Sequence, residues 1–166
     1  MRNKLTYKSA SLILLITFFS VGCKKEKDTS AGGTATQVLA GEFWIQLKQN
    51  NVPVVADYFK ILTYNTAENI PTSMWIDDEE HLWPFKIKMI VDPVTKTFSA
   101  ANAPSSYGNI TVKLNNGKLL EKATKGPVSK VPTDSIYFEA EFSDDPGEIY
   151  QLAGYRRTRW HEDDHE

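Results

Sequence analysis

The densest group of chemically competent side chains in the sequence is Asp77-Asp78-Glu79-Glu80-His81, set between Trp75 and Trp83. Carboxylates with an imidazole could hold Ca²⁺ or another divalent cation, because hard cations take oxygen ligands. The run lacks the glycine and the regular ligand spacing of a Ca²⁺ loop. The competing reading is a solvated acidic loop between two strands, which leaves Asp77, Asp78 and His81 as weak metal candidates with no metal expected. The flanking indoles point elsewhere, since large amphipathic rings at a barrel mouth can contact an apolar ligand or a sugar face.

A second group ends the chain: His161-Glu162-Asp163-Asp164-His165-Glu166. Histidines at i and i+4 would share a helical face and could ligate a metal. Read as a terminal charged run, the same residues form a disordered tail. Covalent hydrolysis has less to build on. Two of the three histidines lie in that tail and the third in the acidic loop, and no Gly-x-Ser-x-Gly elbow occurs. A pair of carboxylates acting on a glycosidic bond would depend on a separation that sequence does not display. No catalytic residue can be named, no cofactor is expected, and binding is favoured over catalysis.

The one cysteine, Cys23, has a different use. Arg2, Lys4 and Lys8 precede the apolar run Leu12 to Phe19, which is followed by Ser20-Val21-Gly22-Cys23. A basic start, a short apolar stretch and small residues at a cleavage point make a secretory signal peptide over 1–22. The run is too short to span about 30 Å of hydrocarbon. Cysteine at the cut site is where a lipoprotein carries its diacylglycerol, and two or more acyl chains hold a protein firmly at a membrane. Ser20 departs from the branched apolar residue common at that place. Residues 23–37 are charged, small or glycine-rich, which suits a flexible tether. Lys24 is not the aspartate that retains lipoproteins in an inner membrane, so the expected location is the cell envelope, anchored to the outer membrane.

The chain has 19 basic and 21 acidic residues; losing Arg2, Lys4 and Lys8 leaves 16 against 21, a net charge of −5. An acidic mature chain argues against nucleic acid as a partner, because phosphate binding needs a basic surface.

From Val38 the apolar pattern has period two. Ile136, Phe138, Ala140 and Phe142 alternate with Tyr137, Glu139 and Glu141; Ile87, Met89 and Val91 alternate with Lys88 and Ile90; Phe43, Ile45 and Leu47 alternate with Trp44 and Gln46. Alternate side chains of a strand face opposite sides of the sheet, so each of these is half-buried. Asn115-Asn116-Gly117, Ser143 to Gly147, Gln49-Asn50-Asn51 and Asp92 to Lys96 supply turn residues. Short strands at this spacing, without an amphipathic helix, predict an all-β domain over 38–160, with residues 161–166 a charged tail. The apolar faces either fill a core or line a cavity.

A set of segments is familiar together: Gly41-Glu42-Phe43-Trp44, Thr63-Tyr64-Asn65-Thr66-Ala67, Met74-Trp75-Ile76-Asp77-Asp78, Trp83-Pro84-Phe85-Lys86, Thr133 to Glu139, Phe142 to Gly147 and Gly154-Tyr155-Arg156-Arg157-Thr158. The set resembles a Bacteroidetes lipoprotein family described as lipid-binding putative hydrolases, over nearly the whole mature domain. The resemblance implies a small antiparallel, up-and-down, lipocalin-like β-barrel of about eight strands, and it brings no established catalytic residues with it. Barrels of that type pack an arginine of the last strand over an aromatic ring of the first, a contact worth about 0.5–2 kcal/mol. Phe43 or Trp44 with Arg156 or Arg157 are the candidates for that closing pair.

The expected function is a membrane-anchored barrel that binds a small apolar or amphipathic ligand of the lipid or fatty acid class. Phe59, Trp75, Trp83, Phe85, Phe138 and Tyr150 are the pocket candidates. The alternative is a filled barrel acting as an interaction platform in the envelope, with an exposed aromatic patch around Trp75, Trp83 and Tyr107.

Overall fold

A computed structural model describes residues 32–165. The expected signal peptide, the expected lipidation site Cys23 and most of the expected tether lie outside the described residues, as does Glu166.

Strands β1 (Gly41–Gln49), β2 (Val52–Pro53), β3 (Phe59–Asn65), β4 (Ser73–Asp77), β5 (Lys86–Asp92), β6 (Thr97–Pro104), β7 (Thr111–Lys125), β8 (Pro132–Phe142) and β9 (Tyr150–Arg156) follow one another around a single antiparallel sheet. β2 and β3 both pair with β1, and β9 returns to pair with β1, from Phe43 opposite Arg156 to Lys48 opposite Gln151. The sheet is therefore a closed eight-stranded up-and-down barrel, as the period-two pattern and the resemblance imply. Closure gives each of the eight longer strands a neighbour on both sides, while the short β2 pairs with β1 alone.

Inward side chains from every long strand merge into one core. Phe43, Ile45, Ile61, Met74, Ile76, Phe85, Ile87, Leu114, Ile136 and Phe138 are all essentially inaccessible to solvent. With its own closed sheet and core, the unit from Gly33 to the C-terminus has what a domain needs to fold alone. An up-and-down barrel places its loops alternately at two ends. Residues 66–72, 93–96 and 126–131, with both flanking chain segments 33–40 and 157–165, lie at what we term the entry end. Residues 50–58, 78–85, 105–110 and 143–149 lie at the other end, the mouth.

Of two expected turns, one is revised and one holds. Asn115-Asn116-Gly117 is a bulge inside the 15-residue β7, not a hairpin turn. Asn115 faces Glu139 and Lys118 faces Tyr137, so β7 carries one extra residue at this point, and Asn116 takes it up at φ 54°. Gly117 is required because a Cβ there would lie 2.4 Å from the Phe98 ring and carbonyl. The reversal between β7 and β8 falls instead at 126–131. Gln49-Asn50-Asn51 does turn the chain: Asn50 and Asn51 sit at φ 50° and 65° between the paired Gln49 and Val52, as a type I′ hairpin requires.

Candidate functional site

The mouth is organised around one carboxylate. Asp78 is fully buried; its Oδ1 accepts from the N–H groups of Glu80 and Phe85, both at 3.0 Å, and its Oδ2 from Trp83 at 2.9 Å and Leu82 at 3.3 Å. Loop 78–85 is thus wound round a single side chain, with Glu79 and Glu80 at positive φ. Burial pushes the Asp78 carboxyl above its ordinary value, against the pull of those four N–H donors.

Asp77 faces the outer wall. Its oxygens accept from Tyr107 Oη at 2.7 Å, Tyr64 Oη at 2.8 Å and the Glu79 N–H at 3.0 Å, with Lys86 Nζ at 3.3 Å. Burial alone would raise its pKa, but the hydrogen bonds from Tyr107 and Tyr64, the Glu79 N–H and Lys86 outweigh it and hold Asp77 below the usual carboxylate range. The same contact, chiefly the hydrogen bond to Asp77, pushes the Tyr107 hydroxyl up to about 12.

These bonds take up the carboxylate oxygens of Asp77 and Asp78. The lone pairs of Asp78 are taken by backbone N–H groups, and His81 Nδ1 lies 2.9 Å from the Asp78 carbonyl. Among the described residues no group of three potential ligands converges. The carboxylates shape the loop.

What the loop delivers is Trp83. Its indole stacks on Phe142 with ring centres 4.2 Å apart and planes 5° from parallel, and its Nε1 donates to Asp144 at 3.2 Å. Phe142 continues inward to Phe85 at 5.7 Å and Tyr150 at 6.0 Å. Beside the indole is a notch of about 290 Å³ lined by Leu82, Trp83, Pro84, Tyr107, Gly108, Ile110 and Asp144. It is an apolar recess with one carboxylate on its rim, joined to the core by a column of aromatic rings.

Of the residues expected to line a pocket, Phe59, Phe85, Phe138 and Tyr150 face the interior, where they pack into the core. Trp83 stands at the mouth. Trp75 does not join them. It alternates with the inward Met74 and Ile76, so it lies on the outer wall opposite Tyr64 and Lys88, with the ammonium groups of Lys88 and Lys86 5.4 and 5.7 Å from its ring. A wider groove of about 740 Å³ also opens on the outside, over the β6 and β7 bulges, between Ile90, Phe98, Lys118 and Tyr137.

At the entry end, Phe43 faces inward and meets the Arg156 guanidinium at 4.9 Å. Arg156 also donates to the carbonyls of Ala40 and Val38 and to Asp134 Oδ2. Gly41 makes room for it, since a Cβ there would lie 2.2 Å from Nη1. Trp44 and Arg157 occupy the outer face and converge on Asp164, the indole at 3.1 Å and the guanidinium Nε at 2.7 Å.

The C-terminal residues are packed on the barrel, not loose. His161–Asp163 form a 3₁₀ turn, and buried Asp163 accepts from the Val128 and Ser129 N–H groups and the Ser129 and Thr158 hydroxyls. His165 stacks on Tyr58 at 4.6 Å, meets Trp44 edge-on and lies 2.7 Å from Tyr155 Oη. Burial lowers the His165 pKa. Its Nε2 is engaged by a phenol, and the three-residue 3₁₀ turn with extended Asp164 after it is not the α-helix that would set His161 and His165 on one face.

Leu82, Pro84, Ile110 and Asp144, which complete the notch, escaped the reading of the sequence. Leu82, Pro84 and Asp144 sit in loops, where no periodicity marks a side chain as facing a recess; Ile110 keeps the phase of Val112 and Leu114, and Trp83 and Tyr107 beside them were the aromatic pointers.

No curated protein matches the chain. A family model described as lipid-binding putative hydrolase matches residues 28–161, which takes in the whole barrel. The chain therefore belongs to that lipid-binding family.

Proposed function

We propose that the protein is an envelope lipoprotein, held by lipid on Cys23, whose barrel takes one small amphipathic ligand at its mouth, alkyl part inward. The observation that carries this reading is the notch against Trp83, continuous through Phe142 with the aromatic interior. Ligand sites are concave and mostly apolar with few polar groups, and about 300 Å³ is the lower end of their usual size. A short alkyl chain fits as the notch stands. A longer one enters by displacing the indole from Phe142.

The headgroup meets acid. The four mouth loops carry Asp57, Asp78, Glu79, Glu80, Asp144, Asp145 and Glu148 and no lysine or arginine. A neutral or cationic headgroup is favoured there over a free carboxylate. The test is a titration of residues 33–166 with the neutral fluorophore N-phenyl-1-naphthylamine, followed by displacement with monolaurin or laurate. One saturable site, displaced better by monolaurin and lost in Ile110→Glu, is expected. Binding unaffected by Ile110→Glu would refute the notch as the site.

The filled interior favours a second reading, in which the barrel is a platform and the outer groove meets a partner. In that case the fluorophore finds no saturable site.

A further inference from the structure

The entry end carries a feature that neither the barrel's closure nor the notch requires. Its loops and C-terminal segment present Ile70, Val94, Val128 and Trp160 to solvent, and Val94 is 89% exposed at the tip of the β5–β6 hairpin. Each stands on a different segment: 66–72, 93–96, 126–131 and 157–165. Each of these tips, on a separate loop at one end of the barrel, leaves between 43% and 89% of its surface to solvent.

Charge distinguishes this end from the mouth. The same four segments hold Lys96, Lys130, Arg157 and Arg159 against Glu68, Glu162, Asp163 and Asp164, a balance of four and four. Asp163 is buried in hydrogen bonds and Asp164 is paired with Arg157, which leaves Lys96, Lys130 and Arg159 against Glu68 and Glu162. The mouth also exposes Val52, Val54 and Ile149, but its loops hold seven acidic residues and no basic one, five of them left once buried Asp78 and the Glu79 paired with Lys60 are set aside. A bilayer with anionic lipids repels the mouth and tolerates the entry end.

Chain geometry selects the same end. Ala35 N–H bonds the Asn69 side chain in loop 66–72, and Arg156 holds the carbonyls of Val38 and Ala40, so the described chain begins here. Gly33 lies ten residue steps beyond Cys23. Fully extended they reach no more than about 35 Å.

We propose that the entry end docks on the bilayer surface, placing Ile70, Val94, Val128 and Trp160 at the level of the headgroups, with the mouth facing away. This rests on Cys23 bearing lipid. Tryptophan with small apolar tips is the composition that enters an interface without crossing it, and such a patch strengthens an acyl anchor.

The experiment uses the full chain, matured and acylated in a bacterial host and reconstituted into phosphatidylethanolamine–phosphatidylglycerol vesicles. Acylation consumes the only native thiol, so Val94→Cys and, separately, Val54→Cys each give one site for an environment-sensitive dye. Both labelled proteins should float with the vesicles. Dye at 94 should shift to the blue and be quenched by nitroxide-bearing phospholipid, while dye at 54 stays in water. Flotation with equal shielding at both positions, or at neither, overturns the docking and leaves the anchor standing. Failure to float refutes the anchor, and the docking falls with it.

Discussion

One end of the barrel is shut by a guanidinium and the backbone it grips; the other is shut by a loop wound round a single carboxylate. At the entry end Arg156 ties β9 to the segment before β1 and covers Phe43, and each of its bonds runs between parts of the chain far apart in sequence. At the mouth Asp78 bonds only to residues within its own loop, up to Phe85. The first arrangement staples the barrel. The second folds one loop, and that loop can move without opening the sheet. The difference explains why a notch exists at the mouth, where the Trp83 indole is held by stacking on Phe142 and a hydrogen bond to Asp144.

Asp78→Ala breaks this contrast most severely. It strands four buried N–H groups, and the cost should be about 3 kcal/mol in chemical denaturation, since each unmade bond to a buried donor costs about 1–3 kcal/mol and water recovers part of it at the mouth. Asp78→Asn should lose less, because the amide oxygen still accepts. If Asp78→Ala is as stable as the parent, the loop is not held as described.

Arg156→Ala should cost about 2 kcal/mol, through the lost bonds to Val38, Ala40 and Asp134 and the cover on Phe43. Hydrogen exchange distinguishes the two variants. Protection should fall at residues 38–43 in Arg156→Ala and at residues 79–85 in Asp78→Ala.

Trp83→Ala should leave the entry end untouched and cost only about 1 kcal/mol, the stacking contribution. Its larger effect is on binding. With the indole gone, a longer alkyl chain reaches Phe142, and affinity should rise about tenfold for each further two methylenes buried. A chain-length preference identical to the parent's would mean that Trp83 does not gate the interior.

Much of this was legible in the sequence. Alternation in β1, β5 and β8 marks the inward face, because a strand displays its burial every second residue. The Gly41-x-Phe43 spacing and Arg156 identify the closing contact as one of a few pairs, and the facing of Phe43 selects among them. The notch was not legible, because Leu82, Ile110 and Asp144 come together from three loops separated by whole strands. Nor was the bulge at Asn116: the residue that tolerates positive φ in a hairpin turn tolerates it equally inside a strand. The C-terminal run misled for a related reason. Its acidic residues look solvated in sequence, yet Asp163 finds its donors in Val128, Ser129 and Thr158.

The smallest expected effect is the pH response of that C-terminal segment. His165 has its folded pKa below the ordinary 6.5, so the undocked segment binds the proton first as pH falls. Docking should be fully present above about pH 6.5 and weaken progressively below it. Trp44 fluorescence should follow the change, and His165→Gln should flatten it. No comparable change should appear at Trp83, at the other end.

Photolabelling tests the assignment of the mouth most directly. Residues 33–166 would be irradiated with a monoacylglycerol bearing a diazirine on its alkyl chain, kept below its aggregation concentration, and the modified peptides mapped. Modification centred on Leu82–Pro84 and Tyr107–Ile110, competed away by monolaurin, is the expected result. Modification concentrated on the outer groove between Ile90 and Tyr137, or spread over the entry end, would contradict it.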